Sequence, residues 1–161
     1  MTLNVVILAL VTLERIGELW LARRNTRRLI AQGAQEHGAR HYPLIVALHA
    51  AWLAALWWLA PPRAIEPLWL ALFFLIEIGR IWVLSSLGER WTTRIIVLPG
   101  APLVRAGPYR WVNHPNYIIV VGEIAALPLT FGLWKVALIF SILNAAILTV
   151  RIRAENRALH A

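Results

Sequence analysis

Five apolar segments, at about 2–22, 43–60, 67–87, 116–131 and 133–150, leave this chain few ways to fold. A helix needs roughly 20 residues to cross a hydrocarbon core about 30 Å thick. Each segment approaches that length, although the fourth and fifth are short. Hydrophobic residues make up 60% of the 161 positions and there are nine Trp, a membrane composition rather than that of a soluble core. The expectation is one all-α integral membrane domain, 1–161, with about five transmembrane helices. A structured cytoplasmic loop precedes the fourth, and a short cytoplasmic helix extends the fifth.

Charge sets the orientation. Arg23, Arg24, Arg27, Arg28 and Arg40 lie between the first two spans, and Arg90, Arg94, Arg105 and Arg110 between the third and fourth. Arg151, Arg153 and Arg157 follow the fifth, so twelve of the sixteen basic residues share one side, while Arg63 and Lys135 fall near the other. The positive-inside rule puts the N-terminus outside and both long loops and the C-terminus in the cytoplasm, as suits a bacterial inner membrane. The net charge of +8 is then explained by topology and anionic lipid, with no nucleic-acid partner expected. The absence of cysteine excludes disulfides, thiolate metal sites and a cysteine nucleophile. The first twenty residues lack a basic n-region and carry Glu14, Arg15 and Glu18, so they read as a retained span.

Charges inside spans are costly, ~2.5–3.5 kcal/mol at mid-bilayer on insertion scales. Glu14 and Glu18 share a face and pair with Arg80 or Arg15, or else line a substrate entrance. Glu77 and Arg80, at i,i+3, suit a local pair. His49 has no second ligand one turn away, so no metal site is expected. Residues 23–42 read as an amphipathic stretch on the cytoplasmic surface. Asn25, Glu36, His41 and Tyr42 are candidate substrate contacts there, a solvated basic surface being the simpler reading.

The run Arg105 to Tyr117, RAGPYRWVNHPNY, concentrates polar, ring-bearing and backbone-constraining residues just before the fourth span. Gly107-Pro108 is turn chemistry, and Pro115 sits in a first helical turn after an extended His114. Asn113 is a candidate cap. Upstream, RIIVLPGAPLV is irregular or strand-like, since Pro99, Gly100 and Pro102 forbid a continuous helix. Gly132 leaves only a short turn between spans four and five, an antiparallel hairpin. On the fifth, Asn144, Leu148, Arg151 and Glu155 share one face that runs toward the loop carrying His114.

This loop resembles the signature of the isoprenylcysteine carboxyl methyltransferase family, roughly G-x-Y-x-x-x-R-H-P-x-Y. Gly107, Tyr109, His114, Pro115 and Tyr117 match, and Asn113 stands where that pattern has Arg. A second family element, Arg then Glu and Leu at four-residue steps, is matched by Arg151, Glu155 and Leu159. The resemblance implies S-adenosyl-L-methionine as cofactor, held in a C-terminal region at about 88–161. Ala101, Pro102, Leu103, Val104, Tyr109, His114, Pro115, Asn116, Tyr117 and Glu155 would contact it. Arg151 would be the catalytic residue facing the acceptor, with Asn144 and Glu123 as further acceptor contacts. Asn156 replaces the second acid of the usual Glu-Glu pair, and the chain stops at Ala161, short of the Tyr-containing tail of eukaryotic members. These departures shift the expected acceptor from a prenylated protein toward a small lipid such as an alkylpyrone or phenolic lipid.

The chemistry agrees with what the sequence lacks. A carboxylate or acidic enol is already an anion near neutral pH and needs no general base to accept a methyl group, so positioning and electrostatics suffice. No catalytic triad, His-rich cluster or GxG is present. Two other classes remain open: an NADPH-dependent membrane reductase of the sterol type, and a non-catalytic helical scaffold whose buried charges serve helix association.

Overall fold

The computed structural model describes residues 2–159. Five helices carry the chain: α1 (Leu3–Ala31), α2 (Tyr42–Leu59), α3 (Pro67–Leu87), α4 (Pro115–Thr130) and α5 (Trp134–Leu159). α2, α3 and α4 each hold Pro in the first turn, where the missing N–H costs nothing and the fixed φ suits a helix. By length and composition α2, α3 and α5 can cross a membrane. α4 has 16 residues, and α1 carries Glu14, Arg15 and Glu18 within its apolar part.

Hydrogen bonds between distant segments align the helices end to end. Asn4 Nδ2 donates to the carbonyls of Ala60 at 2.7 Å and Arg63 at 2.8 Å, and the Glu66 N–H donates to Thr130 O at 2.8 Å. At the opposite end Asn25 Nδ2 donates to Trp91 O at 2.9 Å, and the Tyr42 hydroxyl meets Thr93 Oγ1 at 3.0 Å. Both long connections and the end of α5 therefore gather at one end of the bundle. There β1 (Gln35–His37) pairs antiparallel with β2 (Ile95–Val97), Glu36 opposite Ile96. An ion pair of 2.7 Å between Arg94 and Glu36 fastens the two strands.

The core lies at the far end, where Leu8, Val11, Trp52, Leu56, Phe73, Ile124, Leu127 and Phe131 pack together. α4 lies between α3 and α5. Pro128 sits inside α4 and so leaves the Ile124 carbonyl without its helical donor. The Trp52 indole N–H supplies one at 3.3 Å. Gly132 at φ 66° makes the turn into α5, a conformation that a side chain would strain.

Three expectations need correction. Residues 23–42 are not one separate amphipathic stretch: α1 continues to Ala31 because Arg, Leu and Ala favour helix and no breaker occurs before Gly33. Asn113 does not cap α4; His114 holds the cap position, with no side-chain cap bond. Arg80 does not take Glu77 as its main partner. Its Nε and Nη2 donate to the two carboxylate oxygens of Glu123, and Nη1 donates to Glu18 at 2.9 Å, while Glu77 stands 3.8 Å away. Arg15 joins this network through Glu18 at 2.9 Å and Glu123 at 3.2 Å. In hydrocarbon a cross-helix bidentate pair satisfies both groups, as a single exposed-face pair does not.

Candidate functional site

A cleft of about 610 Å³ opens at the end of the bundle where the two strands pair, within the roughly 300–1,000 Å³ typical of ligand sites. Its roof is the passage from β2 through Ala101–Val104 to the 3₁₀ turn Gly107–Arg110, and its floor is the start of α4 and the last turns of α5. Gly107, at φ 53°, faces the side chains of Ser86 and Trp82 so closely that a Cβ there would collide with the Ser86 hydroxyl. The roof is thereby seated directly on the end of α3. A hydrogen bond from Arg90 Nη1 to Pro102 O fixes the Ala101–Val104 side.

One connected polar chain forms the floor. Arg151 Nε donates to the Tyr117 hydroxyl at 2.9 Å, and that hydroxyl donates to Glu155. Arg151 Nη2 donates to the Thr93 carbonyl at 2.8 Å, so the guanidinium is held from both α4 and the β2 approach. His114 stacks on Tyr117 with ring centres 5.2 Å apart. Its Nε2 meets Asn156 Oδ1 at 3.0 Å and its Nδ1 lies 3.8 Å from Glu155. Burial, helped by the nearby Glu155 charge, pushes the Tyr109 phenol well above its usual range, so it stays a neutral donor. Burial and then the charge of Arg151 hold His41 below the ordinary histidine value.

Of the ten residues expected to contact a cofactor, nine line the cleft: Ala101, Pro102, Leu103, Val104, Tyr109, His114, Asn116, Tyr117 and Glu155. Pro115 does not line it and is buried at the start of α4. Arg151 lines the cleft; Glu123 and Asn144 do not. Glu123 is committed to Arg80, and Asn144 is buried within α5. The sequence reading missed Arg90, Trp91 and Thr92 as cleft residues. They lie in a stretch without periodicity and are brought there by the bend after α3. Glu155 is the one carboxylate on the cleft wall among the described residues, facing Arg90, Arg94, Arg105, Arg110 and Arg151. Such a wall favours ligands that together bring one ammonium and more than one anionic group.

The profile of the isoprenylcysteine carboxyl methyltransferase family matches residues 69–161. The chain belongs to that family. The match spans α3 to α5 and so contains nearly all of the cleft wall. The chain is also 38% identical to the uncharacterized protein YpbQ of Bacillus subtilis, over 95% of its own length and 94% of that protein's. An uncharacterized protein of Haemophilus influenzae is 28% identical, with 90% and 88% covered. No solved structure matches the chain. Membership in the methyltransferase family, together with the apolar helices, makes this an integral membrane protein of a methyltransferase class whose members use S-adenosylmethionine.

Proposed function

We propose that the protein is an S-adenosylmethionine-dependent O-methyltransferase acting on the carboxylate or acidic hydroxyl of a lipophilic acceptor that reaches the cleft from the bilayer. The observation that carries this reading is the Arg151–Tyr117–Glu155 chain on the wall of the cleft. It sets a fixed cation and a fixed anion on one helix face, one turn apart.

The residues present fit the cofactor. Glu155 suits its ammonium or ribose hydroxyls, and the ring faces of Tyr109, His114 and Tyr117 suit its adenine. Asn116 lines the cleft, and its Oδ1 is buried without a hydrogen-bond donor among the described residues. A buried acceptor left unpaired costs about 1–3 kcal/mol, which a donor on a ligand in the cleft would offset. Bound there, S-adenosylmethionine supplies an electrophilic methyl group on a sulfonium. Arg151 binds and orients the acceptor anion; Nη1 has no hydrogen-bond partner among the described residues and is its free donor. The cytoplasm is the natural source of the soluble cofactor, so the cleft end is placed on that side.

Isothermal titration of detergent-purified protein with S-adenosylmethionine tests the reading. Binding that Glu155→Ala weakens about tenfold or more is expected, from the loss of a charged hydrogen-bonding partner worth roughly 1.5–3 kcal/mol. Absence of binding, or binding indifferent to Glu155, overturns it. Mass spectrometry of lipids that gain a methyl group in expressing cells then identifies the acceptor.

A further inference from the structure

A second cavity, about 440 Å³, lies outside the cleft between the last turns of α1 and α3. Its wall is apolar below and basic above. Leu21, Ile81 and Leu84 form the lower part, Arg24 and Arg28 the rim on α1, and Ser85 on α3 with Gly88 and Glu89 just beyond its end the opposite rim. Counting from Leu3, the first twenty residues of α1 rise about 30 Å, the thickness of a hydrocarbon core. α3 is 21 residues long and ends at Leu87. Arg24, Arg28 and Glu89 therefore sit at headgroup level while Leu21, Ile81 and Leu84 face acyl chains.

We infer that this groove binds one anionic phospholipid, its phosphate between Arg24 and Arg28 and an acyl chain against Leu21, Ile81 and Leu84. The two arginines are four residues apart and project from the same face of α1, so their guanidiniums present forked donors to one phosphate. Arg24 has no carboxylate partner among the described residues and rests over the exposed Trp20 ring at 5.9 Å. Arg28 pairs with Glu89 at 2.8 Å, but the Glu89 side chain is 78% exposed. An exposed pair of this kind contributes only about 0–1 kcal/mol, and a phosphate displaces it. A zwitterionic lipid, neutral overall, gains less from the two cations, which selects the anionic headgroup. The groove floor also matters to the cleft. Asn25, buried on α1, donates to Gly88 O at 3.2 Å and Trp91 O at 2.9 Å, and Trp91 lines the cleft on the other side of that bend.

The test uses the full chain in nanodiscs of phosphatidylcholine with increasing phosphatidylglycerol, reading lipid retention by native mass spectrometry. The wild type is expected to hold one phosphatidylglycerol in preference to phosphatidylcholine. With two charge-assisted hydrogen-bonding groups lost from one phosphate, Arg24→Gln with Arg28→Gln should weaken that retention at least about tenfold. Arg23→Gln with Arg27→Gln removes the same charge from the same helix but off the groove, and at salt near about 0.15 M, where unpaired charge is screened, should leave retention within about twofold. Glu89→Gln should strengthen it by freeing Arg28. Equal loss in the two double variants would reduce the effect to diffuse surface charge and overturn the site. So would saturation of the groove by soluble glycerol phosphate at the same concentration as the lipid, since the acyl chain would then contribute nothing.

Discussion

Arg151 on α5 donates from Nε to the hydroxyl of Tyr117 on α4, at 2.9 Å, and through that hydroxyl is linked to Glu155 one turn further along its own helix. The two motif elements of the chain thus meet at a single phenol oxygen. Tyr117→Phe removes only that atom and keeps the ring against His114. A hydrogen bond to a charged group contributes roughly 1.5–3 kcal/mol, so S-adenosylmethionine affinity should fall about tenfold and turnover more, with the fold retained. Calorimetry and a methyl-transfer assay on the same preparation check this. Unchanged affinity and unchanged rate would mean the phenol merely packs.

Arg151→Ala should separate binding from turnover. If the guanidinium faces the acceptor, turnover drops on the order of 100-fold, the size expected when one positioned electrostatic donor is lost, while cofactor affinity changes little. Arg151→Lys should not restore the rate, because an ammonium cannot serve Tyr117, Thr93 and an acceptor anion with one planar fork. A large fall in cofactor affinity instead would place Arg151 on the cofactor.

How much of this was readable beforehand depends on the range of the interaction. The spans were legible as apolar runs of membrane length, and the loop at Arg105–Tyr117 and the start of α4 were legible because Pro and Gly act on their own backbone. The shared face of Arg151 and Glu155 was legible because helical spacing fixes it. The continuation of α1 past Ala22 was not, since hydropathy registers Arg23, Arg24, Arg27 and Arg28 as a loop although arginine is a good helix former. β2 falls within RIIVLPGAPLV, the run legible as irregular or strand-like, whereas β1 is three residues long, too short for any periodic signal. The partner of Arg80 depended on how α1, α3 and α4 rotate against one another. Helical spacing gave Glu77, the charged stripe on α1 already offered Glu18, and only packing gave Glu123.

The Arg80 network gives a contrast between stability and function. Removing one member of a buried pair leaves an uncompensated charge and costs about 3–5 kcal/mol. Arg80→Met should therefore lower the thermal midpoint in detergent sharply, and Arg80→Met with Glu123→Gln should recover part of the loss. Because Glu123 is 4% exposed and absent from the cleft wall, Glu123→Gln should leave S-adenosylmethionine affinity unchanged at temperatures where the protein stays folded. A selective loss of binding would return Glu123 to the site.

His41 carries the pH prediction. Burial, followed by the charge of Arg151, holds it below its ordinary 6.5 in the folded chain. The unfolded chain then binds the proton at a higher pH than the folded one, so stability rises with pH across that window. Acidification through 6.5 should lower the thermal midpoint, and His41→Gln should flatten that slope. The ring can also be titrated by NMR: Arg151→Ala should raise its midpoint by removing a nearby positive charge. No change would separate the two residues electrostatically.

Trp52 and Pro128 make the last test. Trp52 donates to the Ile124 carbonyl that Pro128 leaves free, and an unmet carbonyl in an apolar surrounding costs about 1–3 kcal/mol. Trp52→Phe should thus destabilise the protein by about that amount beyond the loss of ring area. Replacing Pro128 by Ala restores a helical N–H to the same carbonyl, so the cost of Trp52→Phe should shrink in the Pro128→Ala background. Thermal denaturation of the four proteins gives the coupling directly. Strict additivity would mean that the indole is held by packing alone and that the carbonyl finds its donor elsewhere.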